Sequence, residues 1–267
     1  MSTDLPLPWR PQLVALDIDG TIVDHAGLLP DDVREAVRLV VAAGVPVVLS
    51  TGRGWHATLP VFEALGLPQG LTVSSNGAVT VRYPPFEVTD VVTFDPFDVI
   101  ERVLAEHPTA SLAAEVVGWG YRVSRYFPEG ELHGQMELVS VEELAAGDVT
   151  RIVVRDTAST DDEFIKLAER LGLHGVSYFV GWSAWLDIAP AGVNKATALA
   201  GVAASLGVAQ ADVLAIGDGR NDIEMIAWAG RGVALGDAAE EVARAADHVT
   251  GTFAAGGTVT ELRRWFS

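Results

Sequence analysis

Leu13-Val-Ala-Leu-Asp-Ile-Asp-Gly-Thr21 opens on four apolar residues and closes on two carboxylates, a glycine and a hydroxyl. The apolar run Leu13 to Leu16 reads as a buried strand. Pro30 and the acidic pair Asp31, Asp32 then open a helix that runs to about Ala43. Proline suits a first turn, the acids its positive dipole end, and Gly44 its exit. Val45 to Leu49 is a second buried strand. Strand, helix and strand in so short a span imply parallel pairing through a crossover helix.

The C-terminal third repeats this rhythm. Helices are expected over Asn194 to Leu206, Ile223 to Ala229, Ala239 to Ala246 and Val259 to Phe266, with strands over Val213 to Ile216 and Gly232 to Leu235. Such alternation argues for an α/β fold with a doubly wound parallel sheet covered on both faces. The middle differs. From about Tyr83 to Trp185 apolar residues often alternate, as in Tyr121-Arg-Val-Ser124 and Arg151-Ile-Val-Val154, and helical stretches near Phe97–His107 and Thr160–Leu171 interrupt them. Alternation predicts a sheet with one open face, hence an α+β unit inserted into the core. The expected division is 1–83 and 187–267 for the core and 84–186 for the insert, with Pro84-Pro85 at its entry.

The chain has 267 residues, 49 % apolar and 20 % charged, enough for one large domain or two modest ones. No apolar stretch approaches the roughly 20 residues of a membrane span. The N-terminal stretch lacks a cationic start followed by an apolar run, so a cytoplasmic location is expected. No cysteine is present, which excludes disulfides and thiolate metal sites. The net charge of −18 and pI near 4.5 disfavour nucleic acid and anionic lipid as partners. An anionic substrate would need a metal ion or placed cations to offset that field.

In open α/β sheets, ligands bind outside the carboxyl ends of the strands, where Asp17 and Asp19 follow the first strand. Two carboxylates one residue apart raise each other's energy unless a cation joins them or one takes a proton. An aspartate-rich turn bending at Gly20 is the plainer explanation. Gly217-Asp-Gly-Arg-Asn-Asp222 also follows an apolar strand, and Asp or Asn there would cap a helix starting near Ile223. One cap does not use Asp218, Asn221 and Asp222 together. Two acid clusters on parallel strand ends suit one oxygen-lined site for magnesium rather than zinc. Leu49-Ser-Thr-Gly-Arg53 offers hydroxyls and free N–H groups at a helix entrance, a fit for phosphate oxygens or an ordinary turn.

Lys195 is one of two lysines against sixteen arginines, and it stands at a helix start, where a cation opposes the dipole. A point charge reaching a phosphate explains both oddities. Asparagine is rare too, at Asn76, Asn194 and Asn221 only. All three fit turns, which suffices for Asn194 and extends to Asn76. The six histidines (His25, His56, His107, His133, His174, His248) show no metal-binding spacing; His56, just after the hydroxyl motif, is a candidate to face the substrate, with a surface place the commoner expectation. Trp119, Trp182 and Trp185 are candidates to line a pocket, though packing is the commoner role. Arg122, Arg125 and Tyr126 fit either a ligand contact or a solvated strand face.

Taken in order, Asp17-Ile-Asp-Gly-Thr21, Leu49-Ser-Thr-Gly-Arg53, Lys195 in Gly192-Val-Asn-Lys195 and Gly217-Asp-Gly-Arg-Asn-Asp222 resemble the four signatures of the haloacid dehalogenase-like phosphatases. Ser74-Ser-Asn-Gly-Ala78, Leu186-Asp-Ile-Ala-Pro190 running into Ala191-Gly-Val-Asn-Lys-Ala-Thr-Ala-Leu199, Gly232-Val-Ala-Leu-Gly-Asp-Ala238 and Ala246-Asp-His-Val-Thr-Gly251 look like the Cof-type (IIB) branch. The chain departs from that branch at Gly54, Asp237 and Gly256-Gly257-Thr258, none of them in the four signatures.

The resemblance implies a Rossmann-like core with an inserted cap that selects the substrate. It also implies a magnesium-dependent phosphatase acting on small phosphorylated metabolites, chiefly sugar phosphates, through an aspartyl-phosphate. Asp17 would be the nucleophile and Asp19 the acid/base. Thr51, Gly52, Lys195 and Asn221 would bind phosphate. Asp17, Asp218 and the backbone carbonyl of Asp19 would hold the metal, with Asp222 orienting that shell. A phosphosugar mutase and a non-catalytic phosphosugar-binding regulator are the alternatives on the same scaffold.

Overall fold

The structure, a computed structural model, describes residues 9–24, 26–156, 160, 176–180 and 185–267, with 176–180 described by backbone alone. His25, His174, Trp182 and all but the first residue of the helix expected over Thr160–Leu171 lie outside the described residues. The chain divides into two compact units. One comprises Met1–Gly52, Thr58–Thr89 and Asn194–Ser267, and the other Arg53–Ala57 and Asp90–Val193.

In the first unit, β1 (Leu13–Leu16) leads through α1 (Asp31–Ala42) to β2 (Val47–Leu49) and through α2 (Trp55–Leu65), whose first three residues belong to the second unit, to β3 (Gly70–Ser74). An antiparallel extension, β4 (Val79–Tyr83) and β5 (Glu87–Val91), pairs onto β3. The chain returns to this unit with α5 (Lys195–Ser205) and β12 (Val213–Gly217). After these come α6 (Ile223–Trp228), β13 (Arg231–Ala234), α7 (Glu240–Ala245), β14 (His248–Val249) and α8 (Gly257–Trp265). The sheet order is β14-β13-β12-β1-β2, all parallel, and Ser50 continues β2 as a parallel bridge to Val73 of β3.

Successive residues of β1 point to opposite faces, and both faces are packed. Val14 and Leu16 join Val37 and Val40 of α1, Phe62 of α2 and Leu262 of α8 in one core. Leu13 and Ala15 join Leu199 and Val202 of α5 and Met225 of α6 in another. Burial on both sides is why the strand reads as an unbroken apolar run rather than an alternating one. The strand order reverses between β1 and β12, so the residues after their carboxyl ends, Asp17 and Asp218, meet at a topological switch point.

The second unit is built on a six-stranded sheet, order β10-β11-β9-β6-β7-β8. Its strands are β6 (Ser111–Val116), β7 (Gly120–Val123), β8 (Gln135–Leu138), β9 (Ile152–Arg155), β10 (Val176–Val180) and β11 (Trp185–Pro190). Pairing is antiparallel except for β7 with β8. Helices α3 (Phe97–Glu106) and α4 (Val141–Leu144) contribute to the core on one face, against Leu112, Ile152 and Leu186.

The expected open face is not found on the central strands. Val153 of β9 and Ala113 of β6 are buried on the other side with Tyr121, Phe127 and Leu132. The alternation in Tyr121-Arg-Val-Ser124 does expose Arg122, on a strand near the sheet edge. Arg151 precedes a central strand and is buried instead, which its ion pairs with Glu115 and Asp187 at 3.5 Å make tolerable.

Candidate active site

Asp17, Asp19, Thr51, Gly52, Lys195, Asp218, Asn221 and Asp222 all fall in the first unit. Asp17 leaves β1 as a buried residue, 5 % exposed. Lys195 is the first residue of α5, whose start is fixed by a capping box: Asn194 Oδ1 accepts from the Thr197 N–H at 3.0 Å, and Thr197 Oγ1 accepts from the Asn194 N–H at 3.1 Å. The Lys195 side chain is completely buried, and its Nζ donates to Asp17 Oδ1 and to Asp222 Oδ1, both at 2.6 Å. The unfavourable helix end is offset by two carboxylates.

Asp222 does not cap α6 with its side chain. Its other oxygen accepts from the backbone N–H groups of Asp218 (3.1 Å) and Gly219 (2.9 Å), closing the loop on itself. Asp218 Oδ1 accepts from the Thr21 hydroxyl at 2.7 Å, which ties the loop after β12 to the loop after β1. Gly20 has φ +79°, and a Cβ there would lie 2.4 Å from Asp218 Oδ2. Only a hydrogen at that position lets the two acid loops close. Gly20→Ala is therefore expected to cost about 1–3 kcal/mol from strain and displacement of Asp218. Urea denaturation measures this, and an unchanged midpoint would mean the two loops do not need the contact.

Oxygen atoms of Asp17, Asp218 and Asp222 lie within 4.8 Å of one another. Three carboxylates facing one ammonium leave two negative charges without a partner. Burial, then Asp222, raises the Asp17 pKa well above the ordinary carboxylate value despite the opposing pull of Lys195, and Asp218 and Asp19 raise it further. Burial and Asp222 likewise raise Asp218 to about 6, against the Thr21 hydrogen bond. Burial works against the charge of Lys195, but Asp17 and Asp222 outweigh it and hold its pKa above the ordinary lysine value. A hard divalent cation fits this all-oxygen, over-negative cluster.

Asp19 is exposed beside the cluster and forms a short parallel bridge with Val23. Thr51 is buried, and its N–H donates to Val73 O at 2.9 Å. Gly52 follows it. A Cβ at Gly52 would lie 3.1–3.4 Å from the amides of Asn76 and Asn221. Asn221 Nδ2 donates to Asn76 Oδ1 at 2.9 Å. Nothing local in the sequence marks Thr21 or Asn76 for this site, although the rarity of asparagine sets Asn76 and Asn221 apart.

The other sequence candidates are in the second unit. His56 lines a small cavity with Glu115 and Tyr121, and its Nε2 is buried rather than at the surface. Trp185, partly buried, packs edge-on against Phe127 with ring centroids 6.1 Å apart, whereas Trp119 is exposed. Arg122 pairs with Glu137 at 3.6 Å on the surface, Arg125 donates to the carbonyl of Thr109, and Tyr126 is exposed.

Known proteins match the chain over most of its length. The family described as haloacid dehalogenase-like hydrolase matches residues 14–262. The chain is 29 % identical over 264 residues to the 5-amino-6-(5-phospho-D-ribitylamino)uracil phosphatase YcsE of Bacillus subtilis, covering 95 % of each. It is 33 % identical over 258 residues to a phosphoglycolate phosphatase of Aeropyrum pernix, covering 95 % of this chain and 92 % of that one. Among solved structures, the haloalkanoate-superfamily phosphatase BT1666 from Bacteroides thetaiotaomicron is similar with a TM-score of 0.79, 27 % identity and 99 % coverage of both chains. With its four acidic, hydroxyl and lysine signatures in order and gathered at one switch point, the chain belongs to the haloacid dehalogenase-like hydrolases, in their Cof-type branch.

Proposed function

We propose that this protein is a magnesium-dependent phosphatase that hydrolyses small phosphorylated metabolites, sugar phosphates foremost, through an aspartyl-phosphate intermediate. The observation that carries the reading is the buried Lys195 ammonium held at 2.6 Å by both Asp17 and Asp222, beside Asp218. A binder has no need to hold a carboxylate nucleophile against its own repulsion in this way. The names of the relatives, phosphatases of a phosphoribityl compound and of phosphoglycolate, point to the same class of small monoester.

Asp17, Asp218 and the backbone carbonyl of Asp19 would hold the magnesium ion, which neutralises phosphoryl charge when bound. Lys195, the Thr51 hydroxyl, the Gly52 N–H and the Asn221 amide grip the phosphoryl oxygens. An Asp17 oxygen attacks phosphorus in line, and the bond from phosphorus to the ester oxygen breaks. Asp19, standing in solvent contact at the mouth, gives its proton to the departing alkoxide. It then takes a proton from a water that attacks the same phosphorus, breaking the bond to Asp17 and releasing inorganic phosphate. Asp222 keeps Lys195 and the Asp218 loop in place.

The inserted segment, about 84–186, would select among substrates. A cytoplasmic location belongs to the same proposal. Among the described residues, no helix is long and apolar enough to cross a membrane. The test is a panel of phosphorylated metabolites assayed for phosphate release with and without magnesium. Free phosphate from sugar phosphates, only with magnesium, is expected. An isomerised sugar phosphate would make the protein a mutase, and no turnover across the panel would leave only binding.

A further inference from the structure

The turn Ser75–Gly77 holds two successive non-glycine residues in the left-handed region, Ser75 at φ 51° and Asn76 at φ 53°, then Gly77 at φ 101°. All three are buried. Strain of this kind persists where the surroundings over-determine it. Three contacts do so here. The Asn76 N–H donates to Thr51 O at 3.0 Å. Gly77 lies so close to the residue before Lys195 that a Cβ on it would sit 2.2 Å from Asn194 O. The Asn76 side-chain oxygen accepts from Asn221 at 2.9 Å. One turn thus touches all three phosphate-gripping segments.

The Asn221 amide is held at its nitrogen by Asn76. A Cβ on Gly219 would lie 2.5 Å from Asn221 Oδ1, so the carbonyl is turned back over its own loop. One N–H is taken by Asn76. A primary amide carries two, and Asn221 Nδ2 lies beside Gly52, 3.4 Å from where a Cβ on that residue would stand.

We infer that Asn76 is a positioning residue: its side-chain oxygen orients the Asn221 amide so that the remaining N–H meets a phosphoryl oxygen. This rests on the phosphate-binding role proposed above for Asn221. A plain turn former would owe its place only to its left-handed backbone, a property glycine shares.

Asn76→Gly separates the two, because it keeps the backbone conformation and removes the amide. The experiment compares wild type, N76G, N221A and the double variant for KM on an aryl phosphate with magnesium, and for competitive inhibition by inorganic phosphate. N76G is expected to raise KM and the inhibition constant about tenfold, with kcat affected less. The double variant is expected to be no worse than N221A, since the two act through one contact. Wild-type KM and phosphate inhibition in N76G, or effects that multiply in the double variant, would overturn the inference. A wild-type protein with no magnesium-dependent phosphate release would instead defeat the functional reading, and the role of Asn76 with it.

Discussion

Asp17→Asn is expected to lower kcat on an aryl phosphate by about 10⁴-fold or more while raising the melting temperature of the metal-free protein. The first effect follows from chemistry. An amide oxygen of the same size occupies the same place but is no nucleophile, and the residual rate comes from binding and electrostatics alone. The second follows from the charge balance. The Asp17 pKa lies well above its ordinary value because burial, Asp222, Asp218 and Asp19 outweigh Lys195. A carboxyl whose folded-state pKa is raised destabilises the fold when it is ionised above that value, so its neutral isostere removes a cost at neutral pH. Lys195 keeps Asp222 as its partner at 2.6 Å. Steady-state kinetics and a thermal melt in chelator check the two halves separately. Most of the magnesium-dependent rate surviving in pure D17N would remove Asp17 from the mechanism, and a lower melting temperature would mean the Lys195 pair outweighs the crowding.

Removing Lys195 should harm both properties. Lys195→Ala strands Asp17 and Asp222 in a buried place with no cation, and breaking a buried pair from one side costs about 3–5 kcal/mol. Loss of a positioned donor to the phosphoryl group costs about 10²- to 10³-fold in kcat. Arginine is not expected to substitute. The Lys195 side chain has no exposed surface, and a guanidinium is bulkier and aims its hydrogens in a fixed plane. Lys195→Met with Asp222→Asn should regain part of the stability and none of the rate. Urea denaturation and kinetics on the same preparations report this, and a K195A protein as stable as wild type would show that the three carboxylates do not share one buried space.

The parallel core was legible because its strands are buried on both faces and so appear as short apolar runs ending in acids. The observed β1 (Leu13–Leu16) coincides with the run that begins the signature, and α5 starts one residue after its asparagine cap. Lys195 could be singled out because composition and helix dipole both argued against a lysine there, and the structure supplies the two carboxylates that overrule them.

Other features depend on contacts between distant residues. Asn76 and Asn221 are 145 positions apart, and nothing local distinguishes Asn76 from an ordinary turn residue. Asp222 looked like a helix cap and instead folds back to the N–H groups of Asp218 and Gly219. In the second unit, Arg151 suggested a solvated strand face, and its burial depends on Glu115 and Asp187 arriving from other strands. His56 reads as a surface residue for the same reason, since the cavity it lines with Glu115 and Tyr121 forms only in three dimensions.

The proposed reaction requires Asp17 to carry the phosphoryl group beside a divalent ion held with Asp218. A crystal structure of the protein grown with magnesium and beryllium trifluoride, a phosphoryl mimic that bonds to carboxylate oxygen, tests it most directly. Beryllium bonded to an Asp17 oxygen, with one magnesium ion touching both Asp17 and Asp218, is the predicted result. Beryllium fluoride or the metal seated on other carboxylates, with Asp17 still paired to Lys195, would contradict it.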